Sequence, residues 1–370
     1  MGVGHRAGGG HHIGAGDTMG KGYGKLLLFG EHAVVHGHPA VGVGCNLYTS
    51  LVFKVDVSPN RSGRAGRLHD EPCSVSAGGR SLAVHGIEPG DRDSIEAAIA
   101  RGLAAGGPSA RLPEAANTIV VDSTVPRGVG LGSSAALCAA IAEAICNNGA
   151  DDAPPDAARS DSRYLARRAT LAHEIEHLYH GKPSGVDTAL SVYGGIRAFA
   201  RGEGAESPRG GAGARSWPLY PAGDSPVTFL YGYVPRSGNT RTLVGRVSQA
   251  LSRGDRDAVE RIAELGGLSE EAIAELDARR PDAKVLGSLA WRAQAALSAL
   301  GLSTPALDRV LAAGRRAGAR GGKLSGAGGG GAWYLLFDDP DRAEAGRTAI
   351  REAIPDTPVF TMPLVTANQT

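Results

Sequence analysis

The chain has 370 residues, 55 of them glycine, with 21 prolines, 4 cysteines and a formal net charge of +1. That much glycine without a triplet period or a proline excess excludes a collagen-like rod, and 42% hydrophobic residues exclude a chain disordered throughout. Thirty-nine Lys and Arg nearly cancel 38 Asp and Glu, so no global charge footprint points to nucleic acid or an acidic membrane.

No apolar run reaches the roughly 18 residues of a spanning helix. Four cysteines without a CxxC pair read as buried thiols in a reducing, cytoplasmic compartment. The length predicts two domains.

Residues 1–22 read as a flexible glycine-rich tail, since they lack the apolar stretch of a secretory signal. Residues 25–30 (KLLLFG) form a short apolar strand stopped by glycine, and 47–57 a second strand rich in β-branched and aromatic residues. Residues 59–80 are polar and turn-rich, predicting a loop or irregular hairpin. A helix over 94–105, a strand over 117–122 and an apolar helix over 131–146 follow, then a helix over 162–179. Residues 201–216 (RGEGAESPRGGAGARS) read as a low-complexity surface loop, with the domain boundary in 201–226. Beyond it come a strand at 227–233, three or four Ala/Leu/Arg-rich helices over 240–317, a strand at 332–337, a helix near 341–353 and a last strand at 357–362.

Four stretches carry chemistry. In VPRGVGLGSSAAL (125–137), Gly128, Gly130 and Gly132 permit close backbone approach, and Ser133 and Ser134 stand where a helix N-terminus favours an anion. The loop is neither a Walker A sequence nor GxGxxG. A serine-capped helix entry explains it equally well. In GKLSGAGGGGAW (322–333), Gly326, Gly328 and Gly331 satisfy GxGxxG, but a strand follows where a dinucleotide site needs a helix. In the stretch 173–195, His173, Glu174 and His177 match the zinc-protease pattern HExxH. The extended form of that pattern fails at His180 and Pro183, and a later glutamate ligand is left open by spacing. Further on, a Pro-Ser-Gly turn delivers Asp187 to the start of the next segment. The fourth stretch, 25–44, opens with Lys25 on a strand and sets Glu31 and His32 at its exit.

Taken in order, GEHAVVHGHPA (30–40), PRGVGLGSSAA (126–136), HGKPSGVD (180–187) and KLSGAGGGG (323–331) resemble the motifs of the GHMP kinase superfamily, and within it the mevalonate kinase family. VPRSGNTRTLV (234–244) is similar to a further segment of that family, with its alignment around Gly238 and Asn239 open. Gly-Tyr-Gly-Lys at 22–25 departs from the usual Ala-Pro-Gly-Lys, and Ala332 stands where cysteine often follows the third motif.

The resemblance implies an α+β, two-domain GHMP kinase fold. A mixed β/α domain (23–225) would carry the first motifs, a ferredoxin-like domain (226–366) the third, and the cleft between them the active site. It implies ATP and Mg²⁺ as cofactors and phosphorylation of the 5-hydroxyl of mevalonate. Asp187 is the expected general base, and Lys25 its partner, stabilising the developing alkoxide. Gly128, Gly130, Leu131, Gly132, Ser133, Ser134, Gly326 and Gly328 are expected around ATP. Ser134 and Glu176 are expected on the metal, and Glu31, His32 and Thr240 on the substrate side. Glu176 lies eleven residues before Asp187, the spacing of those two roles in the family. A homodimer is compatible with the family, and no nucleic acid or membrane partner is expected. The alternatives are another GHMP kinase acting on phosphomevalonate, a sugar or homoserine, a zinc hydrolase using His173 and His177, and a non-catalytic ATP-binding sensor.

Overall fold

The computed structural model describes residues 18–54, 73–77, 79–148, 161–180, 183–206, 212–219, 227–278 and 280–364. A seven-stranded sheet holds β1 (Thr18–Phe29), β2 (Ala40–Lys54), β3 (Cys73–Ala77), β4 (Arg80–His85), β5 (Thr118–Ser123), β6 (Ile196–Glu206) and β7 (Ala212–Leu219), in the order β3-β4-β5-β2-β6-β7 with β1 on β2. Strand β2 is long enough to take β1 along one edge while β5 and β6 share the other. Among the described residues only the β4–β5 pair of this sheet is parallel. On this sheet lie α1 (Arg92–Ala105), α2 (Ser133–Asn147), α3 (Ser162–His180) and α4 (Val186–Tyr193).

The second sheet is β11-β8-β10-β9, fully antiparallel, from β8 (Thr228–Val234), β9 (Gly321–Leu324), β10 (Gly331–Phe337) and β11 (Val359–Pro363). Between β8 and β9 come α5 (Thr240–Ser252), α6 (Arg256–Leu276), α7 (Ala283–Ala299) and α8 (Pro305–Arg316), and α9 (Pro340–Ala353) precedes β11. The sequence β-α-β-β-α-β with this strand order is the ferredoxin-like arrangement. The last strand stays in the second sheet, an assignment the sequence left open. Among the described residues no helix is long and apolar enough to cross a membrane.

Two expectations are corrected. Strand β1 begins at Thr18, so 18–22 belong to the sheet rather than to a tail; residues 1–17 lie outside the described set. The physical reason is helix contact rather than chain slack. A Cβ on Gly20 would stand 1.9 Å from the Ala140 carbonyl oxygen, and one on Gly22 2.0 Å from that of Ala136. Glycine on β1 and alanine on α2 let a strand lie directly on a helix backbone. The low-complexity stretch 201–216 is the second correction. Its described part extends the β6–β7 hairpin, paired from Ile196–Leu219 out to Glu206–Ala212.

The core does not respect the division between sheets. One apolar cluster joins Leu26, Leu28 and Phe29 of β1 to Phe229, Leu324, Trp333 and Leu335 of the second sheet. A separate cluster under α1, α2 and α3 includes Phe53, Ile99, Ile141 and Ile175.

Candidate active site

Lys25 lies where the β1–β2 register shifts, and its backbone N–H donates to the Leu131 carbonyl at 2.9 Å. This bond ties β1 to the first glycine loop. Asp187 occupies the first turn of α4, after a left-handed Gly185. The Lys25 Nζ stands 3.2 Å from Asp187 Oδ1, with the lysine side chain 8% exposed and the aspartate 40%. The expected pair is therefore assembled, with its carboxylate open to an incoming molecule.

Gly132 is the N-cap of α2 at φ 78° with no side-chain cap, so the first N–H groups of a fifteen-residue helix are free for an anion. A Cβ on Gly132 would come within 2.8 Å of Lys25 Cγ, so this glycine makes room for the lysine stem. Gly128 and Gly130 also hold positive φ. Space around Gly128 is open, whereas Gly130 faces Ala332. Ser133 and Ser134 open α2, and Ser134 Oγ is 3.2 Å from His180 Nε2. Leu131 differs from expectation. Its side chain is fully buried in the core and its carbonyl is taken by Lys25, so it supports the loop from beneath.

Glu176, on α3, is buried at 2% exposure, and its Oε2 has no hydrogen-bond partner. Burial pushes its carboxyl up to about 8; the Asp187 charge adds to the push, while the Thr188 hydroxyl and Lys25 oppose it. A buried, orphaned carboxyl oxygen close to the Asp187 charge suits a hard, oxygen-seeking cation. The neighbouring HExxH pattern points elsewhere. Its glutamate, Glu174, pairs with Arg101 at 2.8 Å, and the His173 and His177 rings pack edge to face. Among the described residues no three His, Cys, Asp or Glu side chains converge as a metal cluster.

The first and third motifs meet across the two sheets. His32, at φ 60°, places Nε2 3.2 Å from the Ala327 carbonyl. Burial pushes the His32 ring below the ordinary histidine range, so it is neutral at pH 7. A carbonyl only accepts, so Nε2 carries the proton and Nδ1 is a bare acceptor, buried without a partner. Ser325 Oγ accepts from the Leu27 N–H and donates to the Leu27 carbonyl, both at 2.9 Å. Tyr334 donates to the Leu28 carbonyl at 2.7 Å.

Glu31 is a correction. It is fully buried in an ion pair with Lys323, which also donates to the Leu324 carbonyl at 2.7 Å. Its Oε1 is held in joining the sheets, and its Oε2 is buried without a partner. The third glycine run divides similarly. Gly326, at φ 92°, faces open space, but a Cβ on Gly328 would meet the Leu302 carbonyl at 2.5 Å and one on Gly331 the Val129 carbonyl at 2.8 Å. Gly328 therefore serves packing, and Gly331 lets the run close against the first loop. Thr240 is exposed at the start of α5, and its hydroxyl accepts from Arg236 at 2.9 Å. Arg236 also donates to the Gly128 carbonyl at 3.4 Å, linking the approach to α5 with the first glycine loop.

Sequence reasoning missed Lys323, Ser325 and Arg236 as individual residues. Lys323 stood in a quoted motif, but its partner is 292 positions away and no local spacing connects them.

Comparison with known proteins bears on this site. Residues 95–195 match the family model described as GHMP kinases N terminal domain, and 248–356 match GHMP kinases C terminal. A mevalonate kinase of Thermococcus sibiricus is 30% identical over 346 residues, covering 89% of this chain and 91% of that protein. The mevalonate kinase of Homo sapiens is 31% identical over 352 residues, covering 85% and 84%. Among solved structures, L. major mevalonate kinase in complex with R-mevalonate matches with a TM-score of 0.69 at 19% identity, covering 94% of this chain and 97% of that one. Streptococcus pneumoniae phosphomevalonate kinase matches with a TM-score of 0.65 at 15% identity, covering 94% and 99%.

Proposed function

Because the chain belongs to the GHMP kinase family, we propose that it transfers the terminal phosphoryl group of ATP to the 5-hydroxyl of mevalonate, giving 5-phosphomevalonate and ADP. The observation that carries this reading is the Lys25–Asp187 pair at 3.2 Å, set beside the free N-terminus of α2 in a chain about 30% identical to mevalonate kinases over most of its length.

Phosphoryl transfer asks a protein for positioning and charge stabilisation more than for covalent chemistry. The N–H groups opening α2 receive the phosphates, with Gly128 and Gly132 supplying backbone conformations that a side chain would strain. Asp187 accepts the proton of the attacking hydroxyl, which lies within its open face. Lys25 fixes that carboxylate and lends positive charge to the oxygen as it loses its proton. His32, expected on the substrate side, is bonded through Nε2 to the Ala327 carbonyl and so ties the first motif to the third glycine run. The third glycine run packs on the first loop at Val129, bringing the two glycine stretches to one edge of the site.

Ser134 and Glu176 would hold Mg²⁺. Bound there, the ion would neutralise charge on the phosphate oxygens.

The direct test offers mevalonate, phosphomevalonate, homoserine and galactose separately and follows ADP release. Turnover with mevalonate is the expected result. Turnover with phosphomevalonate alone would overturn the substrate assignment, and none with any acceptor would favour a binding protein.

A further inference from the structure

The four expected reacting groups sit on four different elements: Lys25 on β1, Ser134 on α2, Glu176 on α3 and Asp187 on α4. One side chain outside the site touches all of these elements. Arg168, on α3, is 5% exposed. Its Nε donates to the Ala139 carbonyl of α2 at 3.4 Å and its Nη1 to the Val192 carbonyl of α4 at 3.5 Å. Its Nη2 donates to the Lys21 carbonyl of β1 and lies 3.3 Å from Glu143 Oε2 of α2. Glu143 Oε2 in turn accepts the Lys21 N–H at 2.6 Å, so carboxylate and guanidinium hold the two backbone groups of a single β1 residue.

A planar fork with five donors can satisfy several fixed acceptors at once, which a lysine ammonium on a flexible stem cannot. A buried ion pair is weak evidence for stability, because desolvation offsets its attraction. What the pair supplies here is register. Lys21 precedes Lys25 by four residues of strand, about 13 Å, and Val192 follows Asp187 by five residues of helix, about 8 Å. Arg168 precedes Glu176 by eight residues of the same helix, about 12 Å. The glycine contacts of β1 on α2 add no sideways hold, since Gly20 and Gly22 present no side chain to interlock.

We propose that Arg168, with Glu143, is a positioning residue for phosphoryl transfer: it locks β1, α2 and α4 to α3, so that Lys25, Ser134, Glu176 and Asp187 meet in productive geometry. The proposal rests on the kinase reading above. It assigns no contact between Arg168 and either substrate.

The test measures Arg168→Lys and Glu143→Gln beside wild-type protein, with kcat and both KM values normalised to folded protein well below each variant's Tm. Loss of register in near-attack geometry should lower kcat about tenfold to a hundredfold while KM for ATP stays within about threefold. A third variant, Ile350→Ala, removes a core side chain from α9, which packs on α8, β8 and β10 and carries no expected site residue; it supplies a loss of stability away from the reacting groups, and its kcat should match wild type. Arg168→Ala adds a further readout, because guanidinium ion at millimolar concentration should restore part of kcat by refilling the vacated site. Wild-type kcat in folded Arg168→Lys overturns the proposal. If that variant does not fold, Glu143→Gln decides, and wild-type kcat there overturns it equally. An inactive wild-type protein would instead sink the kinase reading, so the two failures are distinct.

Discussion

Replacing Lys323 by methionine keeps most of the aliphatic stem and deletes the ammonium. Both Lys323 and Glu31 are wholly buried, so Glu31 would be left with neither water nor counter-charge to support its ionised form. Removing one partner of a buried pair costs about 3–5 kcal/mol, against a total stability of roughly 5–15 kcal/mol. The double variant Glu31→Gln/Lys323→Met removes both desolvation penalties together, and should lie within about 1–2 kcal/mol of wild type. The single variant should also acquire a pH dependence. In the native pair, burial pushes Glu31 up while Lys323 pulls it down; without the lysine, the push is all that remains. Folded Lys323→Met then keeps a proton that the unfolded chain releases near pH 4.3, so its stability falls as pH rises above that value. The slope approaches about 1.4 kcal/mol per pH unit until pH passes the raised folded value. Urea unfolding at about pH 5.5 and about pH 8.5 reads this directly, with a larger deficit at the higher pH. A deficit below about 1 kcal/mol at both pH values would refute the reasoning. So would an equal deficit at both that the double variant fails to relieve.

Asp187→Ala should lower kcat by about 10²–10⁴-fold with KM for ATP within about threefold, by steady-state ADP release; wild-type turnover would remove Asp187 as the base. Gly132→Ala puts a Cβ at φ 78° and 2.8 Å from Lys25 Cγ, so it should cost about 1–3 kcal/mol in thermal melts and displace the lysine enough to depress kcat at least about tenfold. Unchanged turnover would show that the lysine stem has other room. Gly22→Ala, with 2.0 Å to the Ala136 carbonyl, should destabilise by about 3 kcal/mol or more, whereas Gly245→Ala, in α5 with open space around it, should stabilise by about 0.5–1 kcal/mol. Equal Tm values for these two alanine variants would refute the packing argument for β1.

The α2 entry and the turn before Asp187 were legible because each sits in a local string whose turn chemistry can be read from neighbours. Gly132 before Ser133 and Ser134 predicts a helix entry, and Pro183-Ser184-Gly185 predicts the turn that delivers Asp187. What lay hidden depends on partners distant in the chain. Glu31 and His32 looked alike as charged residues at a strand exit. Only Lys323 on β9 and Ala327 in the third glycine run distinguish a buried ion pair from a neutral ring with a bare acceptor. Glycine misled most. Gly20 and Gly22 look like slack in a polar N-terminal stretch, and their use appears only when Ala136 and Ala140 are brought against them. Gly326 and Gly328 are indistinguishable in sequence, yet one faces open space and the other the Leu302 backbone.

The apolar cluster that runs from Leu26 through Phe229 to Leu335 bears on how such a chain can be recombined. The connection between β7 and β8 is the natural place to cross two relatives. A chimera made there would inherit a Leu27–Ser325 clasp and a Glu31–Lys323 pair whose halves come from different parents. The unit that can be exchanged intact is therefore not a half. The first strand pairs with β2 and packs on α2 while also clasping the second sheet, so a successful graft would have to match residues 18–32 to both sides at once.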